Sequence, residues 1–236
     1  MAPGDDIAEL IIDALSRMGV DIEDGDIVVV AHAIVSKSEG RIVHRSSVHV
    51  TSRAAHIAKS NGWDPVHVEL AFRESQQVLR TERALVTVTH GGLVCNFGGV
   101  DASNAPPDSF LLLPLDSDAS AEHLRERIYE LTGRTVAVII ADTQGRPWRR
   151  GSVNLAIGLA GIDPFRVNRG KSDLYGRTLQ RSLVCQADEI AAAAEPVMGQ
   201  ADEGTPVAVV RGYVYRNSED GRATAIIRPE HEDVFR

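Results

Sequence analysis

Two apolar runs, at residues 27–35 and 135–141, contain almost no polar side chains. A strand with one face in water alternates apolar and polar residues, whereas a nearly unbroken apolar run is typical of a strand buried on both faces. Both runs are therefore predicted to be core strands of a sheet with helices packed on it. The chain has 236 residues, of which 43% are hydrophobic, so it can bury a sizeable core in one large domain or two small lobes.

The other elements are predicted from apolar spacing and from the Gly, Pro and capping residues that interrupt it. Helical spacing predicts helices over residues 6–18, 52–61, 65–80, 120–133 and 187–198. Short apolar runs predict further strands over residues 84–90, 92–97, 206–211 and 223–227. Residues 152–161 are small and apolar without a clear assignment, and residues 163–181 are predicted to form a polar loop.

Helices and strands follow one another without the strict βαβ alternation of a doubly wound sheet. We therefore predict an α+β fold, with mixed sheets and helices packed on them, in two closely coupled lobes of one domain at residues 1–236. The phosphate loop GxxxxGK[ST] is absent, as is a GxGxxG run between a strand and a helix. Neither a Rossmann nor a P-loop fold is expected.

Composition narrows the classes of function and the cellular location. A net charge of −8 argues against broad nucleic-acid binding, and no apolar run approaches the roughly 20 residues of a membrane span. The polar, acidic N-terminus does not resemble a signal peptide. Cys95 and Cys185 lie far apart and follow no metal-binding spacing, so we expect reduced thiols in a cytoplasmic protein.

Two stretches end in side chains that suit a metal ion beside a phosphate. The glycine-rich run at residues 91–104 leads to Asp101, Ser103 and Asn104, and Asp142 and Thr143 follow the predicted strand at 135–141. Glycine allows the backbone to approach a ligand closely, and Mg²⁺ or Mn²⁺ prefers carboxylate, hydroxyl and amide oxygens. The same aspartates could instead only cap helices or turns, and the residues alone leave both readings open.

Three further segments have both a binding and a structural interpretation. The arginines of residues 146–151 could bind carboxylate or phosphate, or could form a solvated turn. Lys37, at the end of a predicted buried strand, could reach a ligand or lie on the surface. The segment 198–205, with two glycines and several side-chain oxygens, could donate backbone N–H groups to phosphate or could be an exposed acidic connector.

Taken together and in order, these segments resemble the coenzyme F(420)-0:gamma-glutamyl ligase family, whose members add glutamate to a deazaflavin coenzyme at the expense of GTP. No single segment is specific, but the set spans nearly the whole chain. The matching stretches are DGDIVVV at 24–30, IVSKSEGR at 34–41, GVDASN at 99–104, ADTQGR at 141–146, RRG at 149–151, DLYGR at 173–177, ADEIA at 187–191 and MG at 198–199.

The resemblance implies a site for two divalent cations, Mn²⁺ or Mg²⁺, together with K⁺ and GTP. It implies that Asp101 and Asp142 ligate one divalent ion and that Thr143 and Gln200 ligate the second. The implied nucleotide contacts are Lys37, Asn104, Met198, Gly199, Gln200, Ala201, Asp202, Glu203, Gly204 and Thr205, together with His32 and Ala33, whose side chains differ from the usual hydroxyl or amide residues of the family.

The implied reaction joins L-glutamate, first through its alpha-amine and then through gamma-linkage, to the deazaflavin precursor through an acyl phosphate, with release of GDP and phosphate. The resemblance also implies a homodimer. Candidates for binding the anionic substrates are Arg149, Arg150, Lys171 and Arg177. A metal-dependent protein that binds or hydrolyses guanine nucleotide without ligating anything is the alternative.

The resemblance also leads to an expectation about each end of the chain. Family members usually begin with an extra strand and a short Pro/Leu segment that also contacts the nucleotide, and we expect this chain to start downstream of that segment. Some relatives carry a flavin-reductase-like domain at the C-terminal end, which we do not expect here.

Overall fold

The protein is described by a computed structural model that covers residues 1–233 and Phe235. The helices are α1 (Ile7–Arg17), α2 (His32–Ser38), α3 (Ser52–Asn61), α4 (Pro65–Arg73), α5 (Ser117–Thr132) and α6 (Gln186–Met198). The strands are β1 (Ile27–Ala31), β2 (Ile42–His44), β3 (Ser75–Arg80), β4 (Val86–Thr89), β5 (Val94–Asn96), β6 (Ser109–Leu111), β7 (Ala137–Arg146), β8 (Arg149–Ala160), β9 (Phe165–Val167), β10 (Leu183–Cys185) and β11 (Val207–Val210). Arg236, the last residue of the predicted domain, lies outside the described residues.

The central sheet has the strand order β11-β1-β7-β8. Its two inner strands, β1 and β7, run parallel, with Ile27 opposite Ala137 and Ala31 opposite Ala141. The outer strands β11 and β8 are antiparallel to their neighbours. Because β1 and β7 are parallel, their carboxyl ends meet at one edge of the sheet, which we call the carboxyl edge.

Helices cover both faces of this sheet, which explains the unbroken apolar runs. Val28, Val30, Val138 and Ile140 point to one face and pack with residues of α1 and α5. The intervening positions point to the other face and pack with residues of α6. The two predicted core strands are therefore buried on both sides, as expected.

The middle of the chain forms a second packed region. A three-stranded sheet of order β3-β4-β5 and a two-stranded pair of β2 and β6 lie with α3 and α4. Two apolar clusters hold this region together, one around Ala54, Val68 and Leu85 and one around Leu70 and Phe110. The mixed and antiparallel sheets confirm the predicted α+β fold, while the treatment of residues 1–236 as one domain stays a prediction.

The prediction of a strand over residues 27–35 was wrong in its second half. The strand β1 ends at Ala31, and α2 begins at His32. Ile34 and Val35 are still buried, now against the cluster shared by α1 and α5. The apolar run thus indicated burial correctly but not conformation, and Lys37 lies in a helix instead of at a strand end.

The predicted helix over residues 65–80 was wrong in the same way. The helix α4 ends at Arg73, and residues 75–80 form β3, which pairs antiparallel with β4 from Ser75 opposite Thr89. Backbone hydrogen bonds to β4 stabilise this segment as a strand. A periodicity argument confined to the segment cannot detect a partner strand.

The strand predicted over residues 135–141 continues to Arg146 as β7 and pairs with the long strand β8. Residues 142–146 therefore lie within a strand and do not follow one, and the unassigned residues 152–161 belong mostly to β8. The predicted polar loop at 163–181 contains the short strand β9, which pairs with β10. The extension of β7 decides where the side chains after Asp142 point.

The strand predicted over residues 223–227 is a short 3-10 helix, Ala223–Ile226. The buried carboxylate of Asp118, on α5, accepts hydrogen bonds from the backbone N–H groups of Ala223 at 2.7 Å and Thr224 at 3.3 Å. These bonds attach the segment to α5, so it does not pair with the edge of a sheet. The remaining predicted helices and strands are present, with ends shifted by a few residues.

Candidate functional site

The carboxyl edge of the parallel pair brings together two polar side chains. Beyond the last register pair, Ala31 and Ala141, the chain continues as His32 and Asp142. His32 is the first residue of α2 and is 6% exposed, and its Nε2 atom lies 3.3 Å from Oδ1 of Asp142. Its other ring nitrogen lies 3.4 Å from Oγ of Ser36. His32 thus lies beside a predicted metal ligand.

The Asp142 carboxylate has few stabilising partners for a buried charge. Burial raises its pKa, and the neighbouring Asp101 carboxylate raises it further, while His32, the Thr143 N–H and the Gln144 side chain act in the opposite direction. That N–H donates to Oδ1 at 2.7 Å. Burial, with the charge of Asp142 nearby, also raises the pKa of the Cys95 thiol to about 12. The structure therefore places Asp101, Asp142 and Cys95 in one neighbourhood.

Asp101 is held in place by its backbone and by a neighbouring serine. Its N–H and C=O groups bond to the backbone of Leu111 at 2.9 and 2.8 Å. Its carboxylate accepts hydrogen bonds from the N–H and hydroxyl groups of Ser103, both at 2.7 Å. These contacts fix the Asp101 carboxylate within the middle region, and its effect on the pKa of Asp142 shows that it lies near the carboxyl edge of the central sheet.

The glycines before Asp101 serve a different purpose from the one expected. Gly98 and Gly99 have φ angles of 63° and 70°, where side chains are disfavoured. A Cβ atom at Gly99 would lie 2.4 Å from Cδ1 of Leu113, and one at Gly98 would lie 3.0 Å from the carbonyl oxygen of Ala71. Their close neighbours are parts of this chain. The glycines therefore permit internal packing that positions Asp101.

Thr143 and Asn154 face each other across β7 and β8, on the opposite side of the sheet from Asp142. The Thr143 hydroxyl donates to Oδ1 of Asn154 at 2.8 Å. A hydroxyl that donates its proton keeps its oxygen lone pairs for another partner. Asn154 is 6% exposed and did not stand out in the sequence because it interrupts an apolar segment without any motif.

Asn104 and Gln200, far apart in sequence, meet in space. The Asn104 amide lies 3.5 Å from the Gln200 carbonyl oxygen. The Gln200 side-chain nitrogen donates to Oε1 of Glu195 at 2.9 Å, which leaves the side-chain oxygen of Gln200 free to accept. A predicted nucleotide contact and a predicted metal ligand are thus neighbours.

The segment 198–205 closes on itself through one carboxylate. After the buried Met198, Gly199 turns the chain with φ of 69°. The Ala201 N–H donates to Oε2 of Glu203 at 2.8 Å. The N–H groups of Glu203 itself, of Ala201 and of Gln200 hold the pKa of Glu203 below its usual value. Backbone donors that were predicted to reach phosphate are therefore engaged by a carboxylate of the segment.

The four predicted substrate-binding cations lie on two exposed hairpins. Arg149 and Arg150 are at the tip of the β7–β8 hairpin, and Lys171 and Arg177 lie between β9 and β10. Lys171 reaches Oδ1 of Asn168 at 3.1 Å. Their assignment to substrates stays a prediction.

Two donors near Asp142 were not assigned a role from the sequence. Nε2 of Gln144 and Nη1 of Arg146 are buried and have no hydrogen-bond partner in the described part of the chain. Gln144 and Arg146 were noted only as part of a matching stretch, and Arg146 also as part of a basic turn. Had the strand been predicted to continue past residue 141, its alternation would have placed both side chains beside Asp142.

The residues at the carboxyl edge suit a divalent ion. Asp101 and Asp142 offer the carboxylate oxygens that Mg²⁺ and Mn²⁺ prefer, and a positive charge would offset the burial and the smaller repulsion from Asp101 that raise the pKa of Asp142. Among the described residues, no three His, Cys, Asp or Glu side chains converge in a metal-binding cluster.

A cleft of about 290 Å³ lies beside β8, and its lining includes none of the proposed metal or nucleotide ligands. Its walls include Leu93, next to β5, and Ala156 of β8, which is the register partner of Ala141. Leu113 and Ile227 add apolar surface.

No helix in the described part of the chain is long and apolar enough to cross a membrane.

Comparison with known proteins gives a consistent result. A family model described as F420-0:Gamma-glutamyl ligase matches residues 1–212. A protein of Methanothermobacter thermautotrophicus named Coenzyme F420:L-glutamate ligase is 46% identical over 235 residues, which cover 99% of this chain and 93% of that protein. Proteins of the same name from Methanopyrus kandleri and Archaeoglobus fulgidus are 44% and 46% identical, each over 99% of this chain and 92% and 91% of their own length.

Proposed function

Because this chain belongs to the F420-0:gamma-glutamyl ligase family, we propose that it joins L-glutamate to the deazaflavin coenzyme F420-0. Its membership makes it a ligase, as the sequence predicted. The observation that carries the proposal is the 46% identity, spread over 99% of the chain, to a Coenzyme F420:L-glutamate ligase. The substrates named for that relative are transferred to this chain as part of the proposal.

GTP would drive the reaction, since forming an amide from a free carboxylate and an amine is uphill in water. A carboxylate oxygen of the acceptor attacks the γ-phosphorus of GTP, and the bond to the β–γ bridging oxygen breaks, which gives an acyl phosphate and GDP. The amine of L-glutamate then attacks the acyl carbon. Phosphate leaves with the electrons of the C–O bond, and the nitrogen loses one proton.

The carboxyl edge would bind the phosphates and the cations. Divalent Mn²⁺ or Mg²⁺ would supply positive charge to the phosphoryl oxygens, with Asp101, Asp142, Thr143 and Gln200 as the proposed ligands. The shared neighbourhood of the two aspartates and the free oxygens of Thr143 and Gln200 support this assignment. K⁺ remains a proposed additional cation.

The nucleotide would lie against α2 and the segment 198–205. Lys37 would add positive charge at the phosphates, and Asn104, which already touches Gln200, would contact the nucleotide beside the segment. His32 and Ala33 lie at the start of α2 next to this edge. A phosphate that used the segment's N–H groups would compete with the carboxylate of Glu203.

The exposed hairpins would serve the anionic substrates and a second copy of the chain. Arg149, Arg150, Lys171 and Arg177 are the proposed cations for the acceptor and for the glutamate carboxylates. Leu174 and Tyr175, at 99% and 97% exposed, form an apolar tip that a homodimer would cover. A cytoplasmic location also stays a prediction.

A direct test combines the protein with GTP, Mn²⁺ and L-glutamate, with and without the deazaflavin acceptor, and analyses products by mass spectrometry. We expect GDP release to require the acceptor and the acceptor to gain the mass of one or more glutamyl residues. A ladder of masses would count the glutamates added. If GDP is released at the same rate with and without the acceptor, the result would instead support the alternative, a protein that hydrolyses guanine nucleotide without ligating anything.

A further inference from the structure

Two buried hydrogen-bond donors on β7 lack an acceptor at ordinary hydrogen-bond geometry. They are Nη1 of Arg146, which has no partner among residues 1–233 and Phe235, and Nε2 of Gln144, which only approaches the Asp142 carboxylate. Leaving a buried donor unpaired costs about 1–3 kcal/mol, and more for a charged group. Two such donors two residues apart on one strand therefore need a physical explanation.

The two donors point to the same side of β7 as Asp142. The register is continuous from Asp142 opposite Leu155 to Gly145 opposite Ser152. The shift that follows places extra residues on β8, so alternation along β7 continues to Arg146. Successive side chains on one face are about 7 Å apart, a spacing that one carboxylate or phosphate group can bridge with a hydrogen bond of about 2.9 Å on each side. The Gln144 side chain approaches the Asp142 carboxylate, although its nitrogen makes no hydrogen bond of ordinary geometry.

Arg146 differs from the other partly buried arginines of this acidic chain. Arg41 pairs with Glu74, Arg125 with Glu219, and Arg127 with Asp6. Arg146 has no ion pair with any described carboxylate, although the chain has 33 acidic residues against 25 basic ones. A guanidinium left without a carboxylate, while other partly buried arginines of the chain are paired, is suited to an anion supplied by a ligand.

We propose that Gln144 and Arg146 bind the reacting carboxylate of the acceptor and hold it next to Asp142. This assignment rests on the proposed ligase function and adds a substrate site to it. A planar fork of guanidinium N–H groups and a neighbouring amide can hold one carboxylate oxygen while the other faces the γ-phosphorus. Both residues are positioning groups, because neither gives or takes a proton in the step.

A carboxylate fits these donors better than a nucleotide phosphate. The phosphates already have Lys37, the proposed cations and the segment 198–205 as partners. The reacting carboxylate has no other proposed partner at the carboxyl edge, and it must lie beside the γ-phosphate to attack it. Gln144 and Arg146 follow Asp142, a proposed metal ligand, along the same face of β7. They can therefore hold the carboxylate beside the γ-phosphate.

The test compares Arg146→Ala, Arg146→Lys and Gln144→Leu with the unchanged protein in the GTP-dependent glutamylation assay. We expect Arg146→Ala to raise KM for the acceptor or lower kcat/KM for it by about 10- to 100-fold, because a charge-assisted hydrogen bond is lost. Arg146→Lys keeps the charge without the fork and should recover only part of the activity. Affinity for GTP, measured by calorimetry, should stay within about threefold.

Two further measurements separate positioning from a merely structural effect. Free guanidinium at millimolar concentration should restore part of the activity of Arg146→Ala, and should not affect the matched control Arg80→Ala, which removes an exposed strand arginine. Calorimetric titration with the acceptor alone should show weaker binding to Arg146→Ala. If Arg146→Ala unfolds, Arg146→Lys and Gln144→Leu provide the same comparison.

The outcomes distinguish this inference from the proposed function. An unchanged protein without acceptor-dependent product would overturn the ligase proposal. If the unchanged protein is active and both Arg146→Ala and Gln144→Leu show normal kinetics with the acceptor, only the proposed carboxylate site is overturned. A loss of GTP affinity as large as the loss of acceptor affinity would likewise overturn the assignment to the acceptor.

Discussion

Two aspartates at opposite ends of the parallel strand pair have opposite environments. Asp26 directly precedes β1 and is 1% exposed. Although burial raises its pKa, hydrogen bonds from Arg211, both at 2.8 Å, and from the Glu23 N–H bring the net value below normal. Asp142 lies past the other end of the pair, and burial leaves its pKa above normal.

The difference separates a structural edge from a functional one. At the edge where β1 and β7 begin, which we call the amino edge, the chain supplies hydrogen-bond partners for the buried charge of Asp26. At the carboxyl edge it leaves two carboxylates near each other and two buried donors without a hydrogen bond of ordinary geometry. Buried polar groups in folded proteins are usually satisfied, and exceptions concentrate at sites that bind something else. The comparison therefore points to the carboxyl edge independently of family membership.

The largest expected contrast comes from Asp142→Asn. Removing a proposed metal ligand should lower glutamylation by at least about 10- to 100-fold. The free energy of unfolding should stay within about 1 kcal/mol or increase, because the fold disfavours charge at this position. Activity assays and urea unfolding measure both quantities, with the exposed Asp13→Asn as control. Near-normal turnover in Asp142→Asn would remove the proposed metal role.

Asp26→Asn should show the reverse pattern. Loss of the paired buried charge should lower the free energy of unfolding by about 2 kcal/mol, the scale of hydrogen bonds to a charged group. The activity of the molecules that remain folded should be close to normal, since Asp26 lies at the far end of the strand pair. If urea unfolding shows no loss of stability, Asp26 does not stabilise the amino edge as the structure implies.

The same aspartate predicts an acid dependence of stability. Because its pKa is lower in the fold than the usual 3.8, Asp26 stabilises the fold above that value and loses the contribution as pH falls through its lowered pKa. The stability difference between the unchanged protein and Asp26→Asn should be constant between about pH 5 and 8 and shrink below about pH 4. Urea unfolding across this range tests it, and a difference that grows at acid pH would contradict the assignment.

The smallest expected effect concerns Glu203. Replacing it with Gln removes the charge that competes for the backbone N–H groups of the segment 198–205, so GTP should bind about 2- to 10-fold more tightly. Calorimetry with GTP measures this, and Glu82→Gln, an exposed substitution of the same kind, serves as control. Weaker GTP binding would indicate that Glu203 itself contributes to the nucleotide site.

Much of the site was predictable because the relevant residues form local patterns. Asp101, Ser103 and Asn104 follow one another in the sequence, and two of them contact each other as expected for neighbours. The sequence placed Asp142 just after a buried strand, but β7 continues past it to Arg146, because pairing with β8 extends the strand. The purpose of the glycines before Asp101 was not predictable, because it depends on Leu113 and Ala71, which are outside that segment.

The sequence by itself determined the two buried core strands, most helices and the family. Apolar runs and helical spacing are local, and the ordered set of matching stretches is read directly from the residues. Even where conformation was wrong, as at residues 32–38, burial of Ile34 and Val35 was right. Burial depends on the chemistry of each side chain, which the sequence states directly.

Only the tertiary structure decided which polar groups meet and which remain without partners. The pairing of β7 with β8 extended a strand past Asp142 and set the direction of Gln144 and Arg146. The parallel register of β1 and β7 brought His32 to Asp142, 110 residues further along the chain. Hydrogen bonds and charge repulsion act over a few ångströms in space, so their partners are defined by the packed fold and not by spacing along the chain.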